Sequence, residues 1–256
     1  MQRVLTSLIL VPVAAGVVLF GPQWSFLMLL AAVGSLAFHE FDAIVAGHGI
    51  RRSGWPGMAA GLLLLVAPEP LMPVIAVLGL VLMALGLHAE KLETALGSAA
   101  AALLGVVYIF GAWRCAILLR GADPHWLMLT LLVGWAGDTA ALYVGRAFGR
   151  NKLAPRVSPA KTWEGSAASL VLGTLAGVVY AYFLIPAAEL ALAAAVSAAG
   201  NVAGQVGDLC ESAFKRGAGL KDSGHSLPGH GGWLDRIDSC LFSIPVVYLL
   251  LRLLSP

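Results

Sequence analysis

Nine predominantly apolar stretches follow one another along this chain, separated by short polar segments. They cover residues 5–20, 24–45, 55–67, 71–87, 95–119, 126–148, 164–185, 188–214 and 234–254. About 20 apolar residues in helical form cross a bilayer core. Lipid offers no partner to backbone N–H and C=O groups, so each crossing must be a helix. A water-soluble fold would need more polar surface: only 12% of residues are charged, where soluble domains carry about 25%. The expected fold is all-α, a polytopic transmembrane bundle of about nine helices embedded in the lipid bilayer.

Lys and Arg in short loops orient such a bundle. Arg3 precedes the first stretch, Arg51 and Arg52 follow the second, and Lys91 follows the fourth. Arg146, Arg150, Lys152, Arg156 and Lys161 lie between the sixth and seventh; Lys215, Arg216, Lys221 and Arg236 lie between the eighth and ninth. Nine crossings with a cytoplasmic N-terminus put all of these on the cytoplasmic side, with Arg120 the main exception. The start of the chain has a cation before an apolar run, as a signal peptide does, but lacks a small-x-small cleavage site before Gly21. It is read as a retained first helix. The three cysteines, Cys115, Cys210 and Cys240, show no CxxC spacing and read as packing residues. The net charge of +2 says little by itself, and no basic tail or aromatic–basic array points to nucleic acid, so no nucleic-acid partner is expected.

The chain changes character near residue 125. Residues 1–122 carry few ionisable groups inside their spans and read as an N-terminal scaffold; residues 123–256 read as the catalytic half. His39, Glu40 and Asp42 read as interfacial polar groups at the end of the second helix. Gly134, Gly137, Gly145 and Gly149 read as points of close helix packing.

Polar residues are concentrated between Asp208 and Asp238. Gly204, Asp208, Glu211, Ser212 and Lys215 are spaced to share one face of the eighth helix. A charge beside a bilayer is costly and usually marks a working site. The loop after it, Lys221 to Gly232, follows one Lys with glycines that let backbone N–H groups approach an anion. His230 in this loop suits either a proton carrier or a hydrogen-bonding strut. Asp235 and Asp238 open the ninth helix on one side of its first turn. Mg²⁺ takes one or two protein carboxylates with phosphate oxygens and water, so a metal-bound polyphosphate fits this set. Asp138 lies inside the sixth helix, and Ser158, Lys161 and Thr162 precede the seventh, where Thr162 can cap the helix and its N-terminus can attract phosphate.

Ser212-x-Phe214-Lys215-Arg216, Lys221-Asp222-x-Gly224, Leu227-Pro228-x-His230-Gly231-Gly232 and Asp235-Arg236-x-Asp238, in this order and spacing, resemble the signature of the phosphatidate cytidylyltransferases, or CDP-diacylglycerol synthases. The block from Asp138 to Gly165 resembles that family's second conserved region. Trp233 stands where a smaller apolar residue is usual, Leu142 where a Tyr is usual, and Ala160 where a Lys is common.

The resemblance implies that CTP and phosphatidate give CDP-diacylglycerol and pyrophosphate in phospholipid biosynthesis, at the cytoplasmic side of the inner (plasma) membrane. It also implies K⁺ as a second cation beside Mg²⁺, and a homodimer. Asp208 and Asp235 are the expected metal pair, converging from separate helices, with Asp138 and Asp238 as auxiliary ligands. Asp208, Asp235, Lys215 and Arg236 form the expected catalytic set. Ser158, Lys161, Thr162, Ser212, Arg216, Lys221, His230, Gly231 and Gly232 are expected to bind substrate. A secondary transporter would explain buried acids but not a phosphate-type cluster on one membrane face. The stretch Gly137-Asp138-Thr139-Ala140 does not follow the motif of the CDP-alcohol phosphotransferases.

Overall fold

The apolar stretches form nine helices in a computed structural model that describes residues 2–88, 92–224, 226 and 231–254. They are α1 (Gln2–Phe20), α2 (Gln23–Gly47), α3 (Gly54–Val66), α4 (Leu71–Leu85), α5 (Leu92–Ala122), α6 (Pro124–Phe148), α7 (Trp163–Leu184), α8 (Leu190–Gly217) and α9 (Leu234–Leu254). Six of them, α2 and α5 to α9, are long and apolar enough to cross a membrane; α3 and α4 are shorter apolar helices. The chain is thus an all-α, multi-pass membrane protein, as its hydropathy requires. The only strands among the described residues are β1 (Lys152–Ala154) and β2 (Ser158–Thr162), an antiparallel pair pairing Lys152 with Thr162 and Ala154 with Ser158. No strand is predicted here from the sequence. The strands are too short for a period-2 signal, with Pro155 just past β1 and Pro159 inside β2.

Two compact units make up the chain. One comprises Met1–Ser7, Pro22–Arg114 and Phe214–Arg236; the other comprises Leu8–Gly21, Cys115–Ala213 and Ile237–Pro256.

In the first unit Phe26, Phe38, Ile44, Leu64, Leu65, Ile109 and Phe110 are fully buried. Ile109 and Phe110 sit on a π-helical stretch of α5, Val106–Gly111, where the turn widens. The Phe110 ring tilts against Phe38 with centroids 5.7 Å apart. It also presses on Gly61 of α3, where a Cβ would run into the ring. Arg114, a cation inside α5, donates to the Leu65 carbonyl at 3.3 Å and pairs with Glu69 at 3.7 Å.

In the second unit α6 starts on Asp123, whose carboxylate accepts the His125 N–H at 2.8 Å, with Pro124 in the first turn. Leu129, Val133, Ala181, Ile185 and Ala193 form its core. Helices α6 and α7 approach closely because small residues line their contact. A Cβ on Gly165 would stand 2.9 Å from the Ala141 carbonyl oxygen, and one on Gly173 3.0 Å from that of Val133. Of the four glycines singled out above, Gly137, Gly145 and Gly149 are contact points, while a Cβ on Gly134 would have nothing within 4 Å. Arg120, the exception to the charge bias, donates to the Val18 carbonyl at 2.8 Å and to that of Gly21. It therefore satisfies carbonyls that the end of α1 leaves without helical partners.

Candidate active site

In the first unit the polar block is built around two carboxylates. Lys215, near the end of α8, is 8% exposed and would be an unpaired buried cation without a partner. Its Nζ donates to Asp235 Oδ1. Asp235 Oδ2 accepts the Ser223 N–H at 3.0 Å and the Gly232 N–H at 2.8 Å. The second carboxylate is Glu40 of α2. Its Oε2 accepts Ser223 Oγ at 2.8 Å and the Leu234 N–H at 2.9 Å, and its Oε1 accepts Ser226 Oγ and the Trp233 N–H, both at 3.0 Å.

This geometry explains the glycines. Gly231 has φ +78°, a left-handed conformation costly for other residues, and a Cβ there would lie 2.5 Å from Asp235 Oδ2. A Cβ on Gly224 would stand 2.7 Å from Glu40 Oε1, and one on Gly232 would strike both Glu40 and Ser223. The loop therefore brings its backbone close to anions, and in this structure those anions are Glu40 and Asp235. His48 braces the same region: its Nε2 donates to the Phe214 carbonyl at 2.9 Å, and its ring fills the space beside Gly217. Arg216, Lys221 and Arg236 are exposed, with Arg216 donating to the Leu220 carbonyl at 3.2 Å. His230 lies outside the described residues.

Glu40 and Asp42 thus differ from interfacial polar groups. They are 5% and 6% exposed, and Asp42 accepts the N–H groups of Ser53 at 2.8 Å and Gly54 at 2.7 Å, capping α3. Only His39 of the three is exposed. Sequence reasoning missed both roles. The available signal was two acids in an apolar helix, each of which needs donors to be buried.

In the second unit Asp208 and Lys161 form an ion pair at 2.6 Å, with side chains about one-third exposed. Asp208 Oδ1 also accepts Ser212 Oγ at 3.3 Å. The hairpin holds Lys161, and Thr162 caps α7 as expected, its Oγ1 accepting the Gly165 N–H at 3.2 Å. Ser158 closes the other end of β2 and is half-buried.

The polar face of α8 extends further toward its N-terminus than the charged residues indicate. Asn201 Nδ2 donates to Ser169 Oγ at 3.2 Å, Gln205 Nε2 donates to Asn201 Oδ1 at 2.7 Å, and Ser166 Oγ donates to Gln205. Glu211 is fully buried. Asp238 is 8% exposed and accepts the Ser239 N–H at 2.7 Å, while Asp138 is exposed on α6. Lys215, Arg216, Lys221, Gly231, Gly232, Asp235 and Arg236 therefore belong to one unit. Asp138, Ser158, Lys161, Thr162, Asp208, Ser212 and Asp238 belong to the other.

These donors fit a hard divalent cation. Among the described residues no three Asp, Glu, His or Cys side chains gather as a complete protein cage, and Mg²⁺ does not require one when phosphate and water complete its shell. Asp208 is partly open, and its contacts with Lys161 and Ser212 leave oxygen lone pairs for a cation. Asp235 is held in one orientation by three donors.

The cytidylyltransferase family model matches residues 1–254. A Staphylococcus aureus (strain COL) protein named phosphatidate cytidylyltransferase is 31% identical over 258 residues, covering 97% of this chain and 98% of its own length. Proteins of the same name from Bacillus subtilis (strain 168) and Staphylococcus haemolyticus (strain JCSC1435) are 40% and 39% identical. These two alignments cover 59% and 60% of this chain, and 58% and 59% of the relatives, so the chain spans under two-thirds of their length there. The chain belongs to the cytidylyltransferase family.

Proposed function

We propose that this protein is a phosphatidate cytidylyltransferase that transfers CMP from CTP to phosphatidate in the membrane, releasing pyrophosphate. The observation that carries this reading is the pairing of lysines with the signature carboxylates: Lys215 with Asp235, and Lys161 with Asp208. Each pair presents an anion suited to a cation and a cation suited to a phosphate. The relatives named for this activity support the substrate class.

A phosphate oxygen of phosphatidate attacks the α-phosphorus of CTP. The new P–O bond forms as the bond to the β-phosphate breaks, and pyrophosphate leaves with its electron pair. Phosphatidate is already largely deprotonated at neutral pH, so no strong base is needed. The main barrier is the approach of two anions, which fixed cations and positioning lower. Mg²⁺, when bound, neutralises phosphate charge and orients the α-phosphorus. Asp235 in one unit, and Asp208 in the other with Asp138 and Asp238 as auxiliary carboxylates, are the residues that would offer oxygens to such an ion. Lys161, Lys215, Arg216, Lys221 and Arg236 are the cations that would meet phosphate oxygens. The N-terminus of α7, with Thr162 and Ser158, holds a further phosphate. The Lys and Arg bias supports a reaction at the cytoplasmic side of the inner membrane. K⁺ as a second cation and a homodimer complete the reading.

The test is pyrophosphate release from purified protein in lipid vesicles given CTP, phosphatidate and Mg²⁺. Release should stop when any one is withheld or when EDTA is added, and should resume on adding Mg²⁺. Absence of release with all three present would reject the function; release unaffected by EDTA would reject the metal.

A further inference from the structure

We propose that Glu40 is the positioning residue of the Asp235 site: it holds the loop and the first turn of α9 so that Asp235 points in one direction. This rests on the reading of Asp235 as a metal ligand given above. A carboxylate buried in an apolar helix is costly unless donors surround it. Glu40 has four, between 2.8 and 3.0 Å. Two are the N–H groups of Trp233 and Leu234, which the start of α9 cannot satisfy from within the helix. The helix dipole favours an anion there. Glu40 thus caps α9 from a different helix, in place of a local capping residue.

The third donor, Ser223, links the two carboxylates. Ser223 Oγ donates to Glu40 while its N–H donates to Asp235, 183 residues from Glu40 to Ser223 along the chain. The Asp235 N–H returns to Ser223 Oγ at 3.4 Å. Ser223 is 5% exposed, so it cannot turn to water when this contact is lost. Gly224 and Gly232 make the approach feasible, because a Cβ on either would collide with Glu40. Partners that orient metal ligands without touching the metal are worth about 10–100-fold in metal affinity or activity.

Glu40→Gln tests this, because the amide keeps one acceptor oxygen and turns a donor toward two groups that also donate. Two titrations read the effect: Mg²⁺ against pyrophosphate release, and Mn²⁺ against the purified protein with CTP, followed by the electron paramagnetic resonance of free Mn²⁺. Half-saturation should rise about 10–100-fold in both. Ser223→Ala, which leaves the α9 cap intact, should shift both in the same direction. It carries the test if Glu40→Gln does not fold. Unchanged half-saturation in the folded variant, even with a lower melting temperature, would make Glu40 merely structural and overturn the proposal. Absence of Mn²⁺ binding by the unmodified protein would overturn it too. Mn²⁺ binding without pyrophosphate release would reject the function alone, and the variant's Mn²⁺ titration would still decide the role of Glu40.

Discussion

Asp235→Asn separates the electrostatic role of Asp235 from its chemical one. The side chains of Lys215 and Asp235 are 11% and 7% exposed, so the pair is little screened by water. Asparagine is close in shape but neutral. If its oxygen stays with the N–H groups of Ser223 and Gly232, its NH₂ faces the Lys215 ammonium. If it flips, two backbone donors lose their acceptor. In either orientation the Lys215 ammonium loses the charge of Asp235. Removing one partner of a buried pair costs about 3–5 kcal/mol, and the retained amide oxygen favours the lower end. For a chain of this size about 3 kcal/mol lowers the melting temperature by about 6–12 °C. Adding Lys215→Met removes the cation that faced Asp235 and should recover most of that loss. Turnover should fall by several orders of magnitude in the single variant and stay low in the double. The assays are thermal unfolding in detergent, followed by the fluorescence of the seven tryptophans, and pyrophosphate release per folded molecule. Near-normal turnover in Asp235→Asn would remove Asp235 from the metal shell. A double variant as unstable as the single would refute the ion-pair reasoning.

Lys161→Met should raise the half-saturating CTP concentration about 10-fold, the equivalent of one charge-assisted hydrogen bond. Its melting temperature should change little, because partly exposed pairs contribute under about 1 kcal/mol; steady-state kinetics and thermal unfolding check the two halves. Asp42→Ala removes the cap of α3 and should destabilise by about 1–2 kcal/mol, with turnover per folded molecule retained. Gly232→Ala pushes a methyl group onto Glu40 and Ser223; overpacking of this kind costs about 1–3 kcal/mol. Its Mg²⁺ half-saturation should shift in the same direction as that of Glu40→Gln.

The helices were legible in the chain because a bilayer leaves few alternatives. Apolar runs long enough to cross must hydrogen-bond internally, so α2 and α5 to α9 follow from hydropathy alone. The Thr162 cap was legible too, because a cap bonds to an N–H three residues away. Beyond such local distances, sequence stops determining partners. Helical spacing offers Lys215 the acids Asp208 and Glu211 on its own helix, yet its ammonium donates across a loop to Asp235. Lys161 instead takes Asp208, because the hairpin folds back before α7. The glycines of the signature loop announce a close approach to an anion, but nothing in the chain says that Glu40 would be one of those anions. Burial of a carboxylate depends on donors gathered from anywhere in the fold. Only the tertiary structure could decide that Glu40 is a hub and His39, its neighbour, is not.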